Sequence, residues 1–291
     1  MTKLENRIDF TAVIGVKNAN PNGDPLADNM PRVNNQGKGI ITDVALKRKI
    51  RNAMLDQGGS VYVQSDDYSN DDYKDMRSRL LGNKEIASVL SENDATSDEG
   101  KPIFYKTACE QFLDVRAFGA LFAFSKGKKD GLDGAAIGIR GPVSIQMAES
   151  IKPIDVTDMQ ITKSTSAELK DNGARGSDTM GHKQIVEFGV YKFSGSIRPN
   201  LAEKTQFSLE DSELLKQALL HMFDNDASAS RPAGSMQLLK VVWSVHDNKL
   251  GQYPQWKVEQ QVSVEYNDTA SDFENVKIKF NALPNLKNEE F

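Results

Sequence analysis

The chain has 291 residues, of which 38% are hydrophobic and 26% charged, and its formal net charge is −5. This length accommodates one elaborated domain or two, and no apolar run approaches the roughly 20 residues that span a bilayer, which argues against a membrane protein. The single cysteine, Cys109, excludes an internal disulfide and a cysteine-based zinc site within the chain. The first ten residues lack the features of a signal peptide, and together with the cysteine content they predict a cytoplasmic protein.

Charge is distributed unevenly along the chain. Residues 32–51 hold six basic residues and one acidic residue, whereas residues 56–75 hold six acidic residues and one basic residue. The negative net charge therefore argues only weakly against nucleic-acid binding, because such binding depends on where the basic groups cluster.

The first third of the chain begins with a predicted strand and a predicted helix. Residues 7–16 (RIDFTAVIGV) alternate as a strand, and a loop rich in Asn, Pro and Gly follows at 18–29. Residues 42–55 (TDVALKRKIRNAML) carry one apolar stripe and predict a helix, which Thr42 or Asp43 caps.

The middle of the chain interrupts this pattern. Residues 60–108 are polar and weakly periodic, which predicts an inserted subdomain. Residues 110–124 predict a helix or helix-like turn, a glycine-rich loop follows at 131–141, and PVSIQM alternates as a strand.

The second half predicts a hairpin, a helix and two strands. Two arms near 158–163 and 184–194 flank a polar tip, which is typical of a long β-hairpin. Residues 208–223 predict a helix with Ser208 and Asp211 at capping-box spacing. SMQLLKVVWSV and WKVEQQVSVEY each predict a strand, so the order of elements indicates an α+β sheet domain with two elaborations.

The loop at 18–29, NANPNGDPLADN, matches part of the calcium-loop spacing. Its twelfth position is Asn29 instead of a bidentate Glu, and the asparagine amides at the first positions bring no negative charge. Asn, Pro and Gly all favour turns. A structured turn is therefore predicted, without a metal or another cofactor.

Basic residues line one flank of the predicted helix. At 100° per residue, Lys47, Arg48 and Arg51 lie together beside the apolar stripe, whereas Lys49 lies on the opposite flank. Three cations on one helix edge can follow a phosphate backbone, and a solvated helix face is the alternative. The nearby Arg32 favours the nucleic-acid interpretation.

Two further segments offer weaker candidates. The stretch GLDGAAIGIRGP lacks the spacing of a P-loop or a dinucleotide fingerprint, so it is either a plain loop or a close approach to a ligand with Arg140 as a phosphate contact. His182, His221 and His246 do not form a metal-ligand spacing. His182, beside Lys183 at the base of the hairpin, is either an RNA contact or part of the hairpin packing.

Six segments in a fixed order resemble a known family: NPNGDPLADNMPR, TDVALKRKIRNAML, LDVRAFGALFA, IRGPVSIQ, TMGHKQIVEFGVYKFSG and FDNDASASRPAGSM. Together they resemble the Cas7 family, the backbone subunits of type I CRISPR surveillance complexes (Cascade). The similarity is greatest to the type I-C, or Csd2, branch. The type I-B branch shares the first two segments, so both subtypes remain open.

The resemblance implies a fold and a domain organisation. It implies a palm with the ferredoxin-like fold of RNA-recognition motifs (RRM-like), carrying a finger-like insertion and a thumb β-hairpin. On this sequence the palm is expected at 1–57, 109–150 and 187–291, the fingers at 58–108 and the thumb at 151–186.

The resemblance also implies partners and an assembly. Copies of the chain are expected to form a head-to-tail filament along one CRISPR RNA, and an open heterologous contact allows such growth. Base pairing with target DNA carries sequence specificity, while the protein reads the RNA backbone. Other Cascade subunits and a recruited helicase–nuclease are further partners, and the subunit itself is not expected to be an enzyme.

The expected RNA-binding residues are cations and neutral hydrogen-bonding groups, with one apolar wedge against a displaced base at Met159. They are Asn20, Asn22, Arg32, Lys47, Arg48, Arg51, Arg116, Arg140, Met159, His182 and Lys183.

One departure from the family motif is noted, and two alternative functions are kept open. Arg231 stands outside the set, because SRPAGSM separates it from the glycine that directly follows Arg in the family motif. One alternative function is cleavage of target RNA through Asp24 or Asp28, as in type III backbone subunits. The other is an oligomeric scaffold without nucleic acid.

Overall fold

The computed structural model describes residues 2–127, 130–162 and 180–291. In chain order the strands are β1 (Ile8–Ala19), β2 (Gly23–Asp24), β3 (Met30–Pro31), β4 (Lys38–Ile41), β5 (Gly119–Ala123), β6 (Ala136–Arg140), β7 (Val143–Ile145), β8 (Ala148–Pro153), β9 (Val156–Thr162), β10 (Met180–Ile197), β11 (Met236–Val245), β12 (Val262–Glu265), β13 (Lys277–Phe280) and β14 (Lys287–Glu290). The helices are α1 (Asp43–Asp56), α2 (Met76–Gly82), α3 (Lys84–Glu92), α4 (Gly100–Gln111), α5 (Leu113–Phe118), α6 (Pro199–Thr205), α7 (Leu209–Leu220) and α8 (Gln255–Glu259).

One antiparallel sheet organises the molecule. Its strands lie in the order β14–β11–β1–β10–β8–β4, and β7 and β9 also pair with β10. The predicted strand at 7–16 is its central strand, since Phe10 pairs with Gly195 on one side and with Trp243 on the other. The expected combination of helices with a large sheet is confirmed.

The main core lies between this sheet and the helices α1 and α7. Ile8, Phe10, Ala12 and Ile14 all project into it, as their alternation predicts. Both helices begin where the sequence predicts. Thr42 caps α1 through a bond from the Ala45 N–H (3.3 Å), and Ser208 and Asp211 form the capping box of α7.

The opposite face of the sheet is also covered. Val13, Val190 and Val242 pack there against Val262 of β12, which pairs with β13. The prediction of one strand over WKVEQQVSVEY is therefore wrong in its first half. Pro254 stands at the N-cap of α8, and β12 begins only at Val262.

A second core forms within the middle of the chain. Tyr62, Phe104 and Phe112 pack there with Phe122 of β5 and Ile137 of β6, so this core continues past residue 108. The predicted helix at 110–124 ends at Phe118. At Gly119 the backbone has a φ of +80°, and a Cβ would lie 2.1 Å from the Ile139 carbonyl oxygen, so β5 begins there and pairs with β6.

The predicted hairpin is present as β9 and β10. Their pairing runs from Val156 opposite Val186 to Thr162 opposite Met180. The expected polar tip falls on residues 163–179, which lie outside the described residues. Within the described ranges, no helix has the length and apolarity needed to cross a membrane.

Candidate nucleic-acid interface

The opening loop is a structured turn, as its composition predicts. The chain from β2 to β3 turns back through Asp28 and Asn29, which both have positive φ. The carboxylate of Asp24 is engaged at both oxygens. One accepts from the Leu26 N–H (3.1 Å), and the other is 3.0 Å from the Arg32 guanidinium.

The two asparagines expected to face RNA both bind other groups of the protein, and only Asn20 is buried. Asn20 is buried, and its side-chain amide donates to the Asn29 carbonyl. The Oδ1 atom of Asn22 accepts from the backbone N–H (2.9 Å) and the hydroxyl (3.0 Å) of Thr42. The Asn20 amide thus closes the loop on itself and is left out of the RNA-facing surface. Asn22 ties the loop to the start of α1 and also lines the cleft described below, so it stays an RNA-contact candidate.

The flank of α1 carries two accessible cations. Lys47 pairs with Asp43 one turn earlier (3.0 Å). Arg48, whose side chain is 39% exposed, pairs at 2.9 Å with Asp67, which is almost fully in solvent. Exposed pairs of this kind contribute little net stability, typically about 0–1 kcal/mol. A phosphate can therefore replace either carboxylate at small cost.

Arg51 is less accessible than Lys47 and Arg48, with 12% of its side chain exposed. Its Nε donates at 2.8 Å to Asp114, whose side chain is inaccessible to solvent. The same carboxylate accepts from the backbone N–H groups of Tyr62 (2.7 Å) and Val63 (3.2 Å). The Arg51 guanidinium also lies 5.0 Å from the centre of the Phe118 ring. It thus joins α1 to the second core, and these contacts argue against a role for Arg51 in RNA binding.

Arg116 is likewise internal. Its Nε and Nη2 bind both oxygens of Asp211 at 3.0 and 2.8 Å, and its Nη1 donates to the Cys109 carbonyl at 2.7 Å. Asp211 is itself buried and caps α7. The structure therefore assigns Arg116 to packing between α5 and α7, contrary to the expected RNA contact.

A cleft of about 390 Å³ opens beside Arg48. Lys49 and Arg231 share the Asp226 carboxylate on its wall, with the Arg231 Nε 3.0 Å from Asp226. Burial lowers the pKa of Lys49 to about 8, an effect that Asp226 opposes and that Arg231 reinforces. The cleft therefore gathers three cations around two acids, Asp67 and Asp226.

Four separate segments form the walls of this cleft. They are the opening loop at 21–23, helix α1, residues 67–68 of the middle region and residues 225–231. Sequence reasoning missed two of its cations. It placed Lys49 on the far flank of the helix and kept Arg231 apart, because the helical angle alone does not show what another segment brings beside it. The one available signal was FDNDASASRPAGSM, the segment that contains Asp226 and Arg231.

On the hairpin, Met159 and Lys183 are cross-strand partners and share one face. Met159 is exposed there. His182 belongs to the other face, where its Nδ1 lies 3.2 Å from Asp158. Arg140 is exposed at the end of β6 and is not among the residues that line the cleft.

The other histidines have structural surroundings. His246 is buried, with Nε2 2.9 Å from Asp9 and Nδ1 accepting from the Gln252 N–H at 3.0 Å. His221 lies 2.7 Å from the carboxylate of Asp224 at the surface. Among the described residues, no group of three or more His, Cys, Asp or Glu side chains is arranged to hold a metal ion.

Comparisons with known proteins place this arrangement in context. A family model described as CRISPR-associated protein Cas7 matches residues 6–281. A CRISPR-associated protein Cas7 from Haloferax volcanii is 27% identical over 254 residues, covering 83% of this chain and 71% of the relative. A chain from a solved "CRISPR RNA-guided surveillance complex, pre-nicking" has a similar fold, with a TM-score of 0.51 and 14% identity over 87% of this chain and 86% of that chain.

Proposed function

The chain belongs to the CRISPR-associated Cas7 family, and on this basis we propose that it is the non-catalytic backbone subunit of a type I CRISPR surveillance complex. It binds CRISPR RNA in the cytoplasm, and its copies form a head-to-tail filament that presents guide bases to target DNA. The six segments taken together resemble type I-C most, and type I-B, which shares the first two of them, is the alternative. Other Cascade subunits and a recruited helicase–nuclease complete the set of partners.

The cleft beside α1 is the observation that carries the RNA-binding proposal. It brings together segments that are far apart in the chain, and three of them are segments on which the family resemblance rests. Its accessible cation, Arg48, is held by an exposed carboxylate that a phosphate can replace. In this proposal Arg48 and Arg231 contact the RNA backbone, with Lys47 and Arg32 beside them, and Lys49 supplies buried positive charge.

The parts of the fold receive corresponding roles. The main sheet with α1 and α7 belongs to the RRM-like palm, residues 58–108 are the fingers, and β9 with the part of β10 that pairs with it, from Met180 to Val186, belongs to the thumb. Met159 is the wedge against a displaced base. Its cross-strand neighbour Lys183 contacts the adjoining phosphate, because an apolar side chain and a cation stand together on one face. His182 contacts RNA from the other face.

The absence of catalysis is part of the proposal. The competing function requires Asp24 or Asp28 to act on bound RNA. Both oxygens of Asp24 are engaged, by the Leu26 N–H and by Arg32, and this arrangement holds the turn in shape. We therefore expect assembled complex with complementary RNA and Mg²⁺ to produce no regular cuts. Cuts that disappear on Asp24→Ala would establish the competing function.

Salt-dependent RNA binding tests the cleft. Arg48→Gln is expected to weaken binding equally for all RNA sequences and to reduce the slope of log affinity against log salt by about 1. Lys279→Gln is the matched control, since Lys279 is also exposed and paired, with Glu265 of β12. Unchanged affinity and slope in Arg48→Gln would overturn the assignment. Purified protein without bound RNA and without affinity for it would favour the scaffold alternative.

A further inference from the structure

The turn between β2 and β3 exposes an apolar side chain, Leu26, on a hydrogen-bonded backbone. Its backbone is closed by bonds to the Asp24 carbonyl from the N–H groups of Ala27 (3.0 Å) and Asn29 (2.8 Å). At the tip, Leu26 is 98% exposed, and Asp28 is exposed two residues later. A single exposed leucine is common on protein surfaces, so its meaning depends on whether a matching surface exists.

Such a surface lies on the outward face of the hairpin β5–β6. The inward residues of this hairpin belong to the second core, and the outward residues are apolar or small except for one cation at the end: Leu121, Ala123, Ala136, Gly138 and Arg140. Leu121 is 69% exposed and stands opposite Gly138. An outward face of a two-stranded sheet is ordinarily polar.

Gly138 leaves this face flat, although the fold does not require a glycine at this position. A Cβ at Gly138 would meet no atom within 4 Å, whereas most glycines of the β-strands here are closely surrounded. At the corner of the face, Arg140 is exposed and has no ion-pair partner in the described part of the chain. The outward β5–β6 face is therefore largely apolar, with one unpaired positive charge at its corner.

We propose that the Leu26 turn of one copy docks on the outward β5–β6 face of the next copy, with Asp28 directed toward Arg140. Identical chains that form an open filament need two different, complementary surface patches, which meet in a heterologous contact. The protruding Leu26 can pack on the apolar β5–β6 face, and the exposed Asp28 carboxylate complements the unpaired charge of Arg140. The inference rests on the proposed function, because a chain that assembles into a filament requires two such complementary surfaces.

Two variants separate this contact from folding and from RNA binding. Leu26→Asp alters a side chain outside every core. Gly138→Gln covers the outward β5–β6 face with a side chain at a position where a Cβ meets no atom of the same chain. Binding is measured on a short RNA that seats one copy and on a long RNA that seats several, with assembly size read by sedimentation. Leu250→Asp is the matched control, because Leu250 is another leucine at the surface, 86% exposed.

Both variants are expected to bind the short RNA normally and to need about 10- to 100-fold more protein to fill the long RNA, the range expected for exposing one docked leucine. An equal mixture is more diagnostic. The intact face of Leu26→Asp receives the intact turn of Gly138→Gln, so the mixture forms pairs that do not extend. Filling of the long RNA at wild-type concentrations by either variant overturns the proposal.

Further outcomes distinguish the competing explanations. Loss of short-RNA binding in Leu26→Asp would show that the turn contacts RNA, and the contact between copies would be rejected. Arg140→Ala and Asp28→Asn should affect assembly non-additively, and additive effects would reject their pairing. The variants are also compared without RNA at high protein concentration, so the contact is measured even if the wild-type chain fails to bind RNA, which would refute the proposed function instead.

Discussion

Two arginines three residues apart on α1 are expected to respond in opposite ways to the same substitution. Arg51→Gln should destabilise the protein and leave the RNA affinity of the folded chain unchanged. Arg48→Gln should weaken RNA binding with little effect on stability. Their pairs differ in burial, since the Arg51 side chain is 12% exposed against a fully buried Asp114, whereas Arg48 pairs with an acid in solvent.

The magnitudes follow from what each substitution leaves behind. Without Arg51, the Asp114 carboxylate keeps only the two backbone donors from Tyr62 and Val63 as partners in a site that water does not reach. Removing one partner of a buried pair costs about 3–5 kcal/mol, and the contact with the Phe118 ring adds to the loss. The exposed pair of Arg48 with Asp67 is worth at most about 1 kcal/mol.

Urea unfolding and RNA titration of the same preparations measure both effects. The free energy of unfolding should fall by about 3 kcal/mol or more for Arg51→Gln and by less than about 1 kcal/mol for Arg48→Gln. The double variant Arg51→Gln with Asp114→Asn should recover part of the loss, because no charge is then buried alone. An Arg51→Gln protein with wild-type stability and weakened RNA binding would refute the structural role of Arg51.

The remaining predictions concern pH and two glycines. Lys49 has a pKa of about 8, against 10.5 in an unfolded chain, so between these values the unfolded chain binds more protons and this group makes stability rise with pH. RNA affinity should instead fall as pH passes 8 and the cleft loses charge, and Lys49→Arg should remove the fall in RNA titrations across pH 7–9.5. Gly195→Ala should cost about 1–3 kcal/mol in thermal or urea unfolding, because its Cβ would lie 2.2 Å from the Phe10 ring. Gly138→Ala should change stability by less than about 0.5 kcal/mol, and a large loss there would contradict the open space around it.

Local signals in the sequence predicted the elements well. The strand at 7–16, the helix at 42–55 and the capping box at Ser208 each depend on residues close together in the chain, and each is present. The failures also have local causes. Gly119 turns the backbone where apolar residues continue, and the short α8 separates Pro254 from the strand that follows.

The site was harder to predict because its electrostatics come from distant segments. Arg51 meets an acid 63 residues away, Arg116 one 95 residues away and Lys49 one 177 residues away. A helical wheel gives the direction of each cation but not the carboxylate that the fold brings to it. Whether a basic residue is free or already paired therefore could not be read from α1 alone.

Helix α5 bears on any attempt to redesign this scaffold. Leu113 and Ala117 pack in the main core while Val115 packs in the second, and the two charged residues between them, Asp114 and Arg116, reach α1 and α7. A truncation that removes residues 60–118, and α5 with them, would leave the half-buried Arg51 and the buried Asp211 without their charged partners on the part that remains. A graft of a different insertion should therefore join the chain between Gly59 and Phe112, keeping α5 with the larger body.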